Sequence, residues 1–126
     1  MWCKGLTMSD VVEAIGAKIV APAAAPGELI DAVLERRRPL VLILDALDEA
    51  SGDGEARRIA QRLLKQLAAA GRKLGVKVLV GTRRGPGGEL LQALGPDKRV
   101  IDLDRAEYLQ DEDLVAYVRR RRLAWR

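Results

Sequence analysis

Residues 39–50 read PLVLILDALDEA: five consecutive aliphatic residues, Leu40 to Leu44, run directly into Asp45, Asp48 and Glu49. Pro39 biases Arg38 away from helical angles. An unbroken aliphatic run with no polar alternation is the mark of a strand covered on both faces, as in a parallel sheet. Parallel strands cannot be joined by tight hairpins, so crossover helices must flank such a strand. The three carboxylates at its end are expensive to bury unless something positive meets them.

The surrounding sequence supplies the helices. Thr7-Met8-Ser9-Asp10 has capping-box spacing with Asp in place of Glu, and Leu6 and Val11 stand where a hydrophobic staple closes. A helix is expected from about Met8 to Val20, and a second from about Glu28 to Arg37 after the breaker APAAAP. Beyond SGDG, Ala56, Ile59, Ala60, Leu63, Leu64 and Leu67 recur at helical spacing, with Arg57, Arg58, Arg62 and Lys65 opposite and Gly75 as the C-cap. Val76 to Gly81 reads as the next buried strand, followed by a short helix near Glu89 to Leu94 and a strand at about Arg99 to Leu103. A last helix, about Asp111 to Leu123, has acids in its first turn and arginines in its last, matching the helix macrodipole. This alternation predicts an α/β fold in three layers, a short parallel sheet with right-handed crossovers and helices on both faces.

Composition narrows the chemistry. The 126 residues suffice for one domain, 1–126, and contain one cysteine, Cys3, and no histidine, which excludes an internal disulfide, His-based triads and ordinary zinc sites. No apolar run approaches bilayer length and no signal-peptide pattern follows Met1, so a cytoplasmic chain with no membrane partner is expected. The net charge of +4 is uneven: residues 64–126 carry 14 basic and 8 acidic groups. Arg119 to Arg122 nonetheless end an amphipathic helix with no aromatic platform nearby, which reads as a solvated face rather than a nucleic-acid surface.

In open parallel sheets, ligands bind beyond the carboxyl ends of the strands. Asp45 sits at that edge and suits Mg2+, a hard ion usually held by one or two carboxylates plus phosphates and waters. A second acid then orients a water for attack on a phosphoryl group. Continued strand geometry puts Glu49 on the face of Asp45, whereas a turn after Ala46 favours Asp48.

LVLILDALDEA resembles the extended Walker B motif of the STAND class of P-loop NTPases, particularly the NACHT-like ATPases: four hydrophobic residues, Asp, a small residue, a hydrophobic residue, then Asp-Glu. VLVGTRRG is similar to the sensor 1 segment of that family, and VIDLD with YLQDEDLVAYVRRRRL to its fifth strand and following helix. The resemblance implies ATP and Mg2+ as cofactors, Asp45 as the metal residue, Asp48 or Glu49 as the water-orienting acid, Arg83 as the phosphate sensor and Thr82 beside it. It also implies an ATP-driven switch within a signalling protein, with self-association or further domains as partners.

The P-loop pattern GxxxxGK[ST] is not in these residues, since no Gly-Lys pair occurs. The resemblance therefore implies a partial NTPase domain that starts inside the fold, with Met1 to Gly5 as a remnant of the second strand. In the strand order five-one-four-three-two, the slot of the first strand lies between the fifth and the fourth. Either the fifth closes against the fourth, or an apolar slot exposes strand edges to another chain. Poor ATP binding and no turnover are expected of this chain alone. Two rivals remain. One is a non-catalytic oligomerisation module. The other is a receiver-like phosphoacceptor with Asp45 as acceptor and Thr82 responding, for which the acid pair on an earlier strand and the closing lysine are not found.

Overall fold

The capping box at Thr7 forms as its spacing predicts: the Thr7 side chain accepts from the Asp10 N–H at 3.2 Å and Asp10 Oδ2 accepts from the Thr7 N–H at 2.8 Å. It starts α1 (Met8–Lys18), and the Met8 N–H is held by Glu55 Oε1 at 2.6 Å. The computed structural model describes residues 1–52, 54–108 and 111–124. Asp53 of the SGDG turn, Leu109, Gln110, Trp125 and Arg126 lie outside it, as do the side chains of Pro86, Leu114, Tyr117, Arg121, Arg122, Leu123 and Ala124.

After α1 come α2 (Pro26–Glu35), with Pro26 at its first position, and β1 (Leu40–Leu44). One continuous helical stretch follows, formed by α3 (Glu55–Arg58), a π-helical segment Ile59–Leu64 and α4 (Lys65–Ala70). Then come β2 (Val76–Val80), α5 (Glu89–Ala93) and α6 (Asp111–Ala124). The stretch ends at Ala70, short of Gly75. Gly75, at φ 78°, instead closes the 3₁₀ turn Arg72–Leu74 that leads into β2.

β1 and β2 pair in parallel, from Leu40 opposite Val76 to Leu44 opposite Val80. The other edge of β1 takes the first residues of the chain: Asp45 N–H donates to Met1 O (2.8 Å) and Cys3 N–H to Asp45 O (2.8 Å), with Trp2 bridged to Asp45 in parallel. Met1 to Cys3 thus line the edge of β1 opposite β2. The core sits on one face of this sheet. Leu44 and Val76 join Val11, Val12, Ile15, Leu29, Val33, Ile59, Leu63, Leu64 and Leu67 there, and Leu40, Leu42, Val78 and Val80 pack against them.

Three expectations are corrected. β1 is not covered on both faces: its burial alternates, and Val41 and Ile43 are 61% and 57% exposed, with Leu79 of β2 beside them at 56%. The described helices that build the core therefore form two layers with the sheet, not three. The aliphatic run misled because Val41 and Ile43 satisfy strand propensity whether or not anything covers them. The third correction concerns Arg99–Leu103, which pairs with no strand among the described residues; Val100, Ile101 and Leu103 remain about half exposed. The α/β character stands, in a smaller form than expected. No described helix is long and apolar enough to cross a membrane.

Candidate functional site

Because β1 and β2 are parallel, their carboxyl ends open on one edge, and all five residues singled out from the sequence gather there. Gly81 N–H donates to Leu44 O at 2.7 Å, and Leu47 N–H donates back to Gly81 O at 3.1 Å, tying the two strand exits together. Between them the chain reverses at Ala46, which takes the left-handed conformation (φ 55°, ψ 43°) and starts a 3₁₀ turn over Leu47–Glu49. For a non-glycine residue that conformation costs about 1–2 kcal/mol. The turn buries Leu47 completely and carries Asp48 towards β2.

Asp45 is exposed, and its Oδ1 accepts from the Ala46 N–H at 2.9 Å. The carboxylate lies against Gly81, where any Cβ would collide with Oδ1. Nothing in the chain's pattern marks this contact beyond a glycine at a strand end.

Asp48 is the hub. Arg83 Nε donates to Asp48 Oδ2 at 2.6 Å, and the Arg83 backbone N–H to Oδ1 at 3.3 Å. The Thr82 hydroxyl has one proton to share between Asp48 Oδ1 (3.3 Å) and the Arg83 carbonyl (3.0 Å). Glu49 Oε1 is 3.4 Å from the Arg83 guanidinium. Partial burial pushes the Asp48 carboxyl up, but the side-chain and backbone hydrogen bonds and charge of Arg83 together outweigh it and hold it below its ordinary value. The same contacts raise Arg83, with Glu49 adding its charge. Arg83 does not pair with Asp102; its neighbour Arg84 does, at 2.6 Å.

Asp48 and Glu49 thus face one guanidinium, Asp45 adds a third carboxylate at the same strand exits, and the charge of Arg84 is already spent on Asp102. The net negative charge disfavours a bare triphosphate and favours one that brings its own cation. Among the described residues no three ligating side chains group closely enough to hold a metal ion. Asp45, a single exposed carboxylate with Oδ1 partly committed to a backbone N–H, fits Mg2+ only where phosphate and water complete the shell.

The site is an open shelf. The roomier of the described cavities, a groove of about 500 Å³, runs along the far edge of β2 and includes none of these five residues. No protein-family model, curated protein or solved structure matches this chain.

Proposed function

We propose that the strand-end shelf is the magnesium and terminal-phosphate half of an ATP-responsive site of the STAND/NACHT type, within a switch or signalling protein. The observation that carries this reading is the convergence of Asp45, Asp48 and Glu49 from β1 with Thr82 and Arg83 from β2 on one carboxyl edge. Asp45 would hold a Mg2+ that also carries phosphate oxygens and water, and that ion would supply the positive charge the acidic shelf calls for. Asp48 keeps Arg83 at the edge, where the guanidinium would exchange a carboxylate for a terminal phosphate. Glu49 has only its 3.4 Å contact with Arg83 and so is the better-placed acid to orient a water. The backbone cradle that gives most affinity in P-loop proteins is not among these residues, so the chain alone binds weakly and releases no phosphate.

The test is a titration with Mg-ATP followed by the backbone amide signals of Ala46–Glu49 and Gly81–Arg84. Shifts in the millimolar range, about −4 kcal/mol of binding, that require Mg2+ and vanish in Asp45→Asn support the reading. Shifts indifferent to Mg2+, or none at all, overturn it. Micromolar affinity would refute the statement that another phosphate grip is needed. A non-catalytic interaction module is the second reading, favoured by the exposed apolar side chains of Val41, Ile43 and Leu79 on one sheet face.

A further inference from the structure

The hydrogen-bond phase of the sheet decides which groups of β2 are free. Leu40 N–H donates to Gly75 O and Gly81 N–H to Leu44 O, so the odd-numbered residues of β2 face β1. Val78 and Val80 therefore turn their N–H and C=O groups to the opposite edge, where no described strand pairs with them. Val78 and Val80 line the 500 Å³ groove, together with the apolar side chains of Leu64, Ala68 and Leu94. Lys65, Arg72, Lys77, Lys98 and Arg99 also line it, against one acid, Asp97, which is 3.6 Å from Arg72. An unpaired strand edge with apolar walls and a cationic lining is built to take an extended apolar segment that carries acids.

The chain contains such a segment. Val100-Ile101-Asp102-Leu103-Asp104 alternates in part between apolar and acidic residues and matches β2 in length, five residues to five. Its apolar side chains are 51%, 52% and 64% exposed, and it joins no sheet. Within its own molecule it pairs with no described strand and is tied elsewhere: Arg84 grips Asp102 at 2.6 Å, and the Asp104 and Arg105 N–H groups fold back onto Asp102. Arg99 and Ile101 nevertheless line the groove. Two copies related by a two-fold axis beside it would each offer this segment to the other's β2.

We infer that the chain forms an isologous dimer in which residues 100–104 of each copy add a strand to the free edge of β2 of the other. The exchange satisfies the Val78 and Val80 backbone groups, covers Val100, Ile101 and Leu103, and sets Asp104 among the lysines and arginines of the groove. It stands apart from the nucleotide reading, since none of the five shelf residues lines the groove.

Sedimentation equilibrium over a micromolar concentration series tests it. The wild-type chain should be a dimer, and Ile101→Lys with Leu103→Lys should weaken association at least tenfold while the far-ultraviolet dichroism stays unchanged, since both side chains are half exposed or more. Charge exchange supplies the second arm. Asp104→Lys and Lys98→Glu should each weaken the dimer alone, and mixing the two should restore a heterodimer with one native-like and one reversed contact pair. A monomer throughout the series overturns the inference. A dimer indifferent to all four substitutions also overturns it, because the contact then lies elsewhere.

Discussion

Arg83 Nε stands 2.6 Å from Asp48 Oδ2, although the two residues are 35 apart in the chain, and this pair joins the exits of β1 and β2. It exists because Ala46 reverses the chain as soon as β1 ends, which brings Asp48 back across to the neighbouring strand. The consequence is an arginine already occupied by carboxylate, so any phosphate must compete for it.

The pair has a pH signature. The Asp48 carboxyl is depressed in the folded chain, so its stabilisation is complete above its ordinary value of about 3.9 and is lost as pH falls through the lower folded value. Arg83 is 76% exposed, so solvent screening keeps the pair weak. Urea unfolding should find Arg83→Ala slightly less stable than wild type at neutral pH, and the two should converge well below pH 3.9.

Ala46 supplies a second expectation. Its left-handed backbone penalises a Cβ, and a branched one more. Ala46→Gly should match wild type or exceed it by up to about 1 kcal/mol, and Ala46→Val should fall below it by about 1–2 kcal/mol, both measured by denaturant midpoint.

Gly81→Ala drives a methyl into Asp45 Oδ1, so the carboxylate must move off β2 or the strand exit must open. Asp45 is exposed and can swing aside, so the loss should not exceed about 0.5–1.5 kcal/mol, the worth of its hydrogen bond to the Ala46 N–H, with amide shifts concentrated at Asp45–Leu47. Asp45→Asn, which keeps an oxygen for the Ala46 N–H, should leave the fold intact and remove only Mg-dependent effects. Its unfolding curve would expose a structural role if the fold is lost.

The two sheet faces should respond differently to truncation. Leu63→Ala, at a fully buried position, should cost about 2–5 kcal/mol by thermal or urea unfolding. Ile43→Ala, on the open face, should cost well under half as much.

Much of this was legible in the sequence. The Thr7 capping box, the two parallel strands and the place of Asp45 at a carboxyl edge follow from local spacing and strand direction, which sequence patterns encode; Thr82 and Arg83 beside it were singled out only through the resemblance of VLVGTRRG to a sensor segment. The uncovered sheet face was not legible, because Val41 and Ile43 look the same whether a helix covers them or not. Nor was the fate of residues 99–103: strand propensity reports what a segment can pair with, not whether a partner edge is within reach. The choice of Arg84 over Arg83 as the partner of Asp102 depends on tertiary distances that adjacent arginines cannot reveal.

Cys3 is fully shielded and sits on the short segment zipped to β1, and burial pushes its thiol up, opposed by the charge of the amino terminus and reinforced by Asp45. A sulfhydryl reagent can reach it only when Met1 to Cys3 peel away from the sheet. The pace of labelling under native conditions is therefore a clock, present without engineering, for how often that edge segment comes undone.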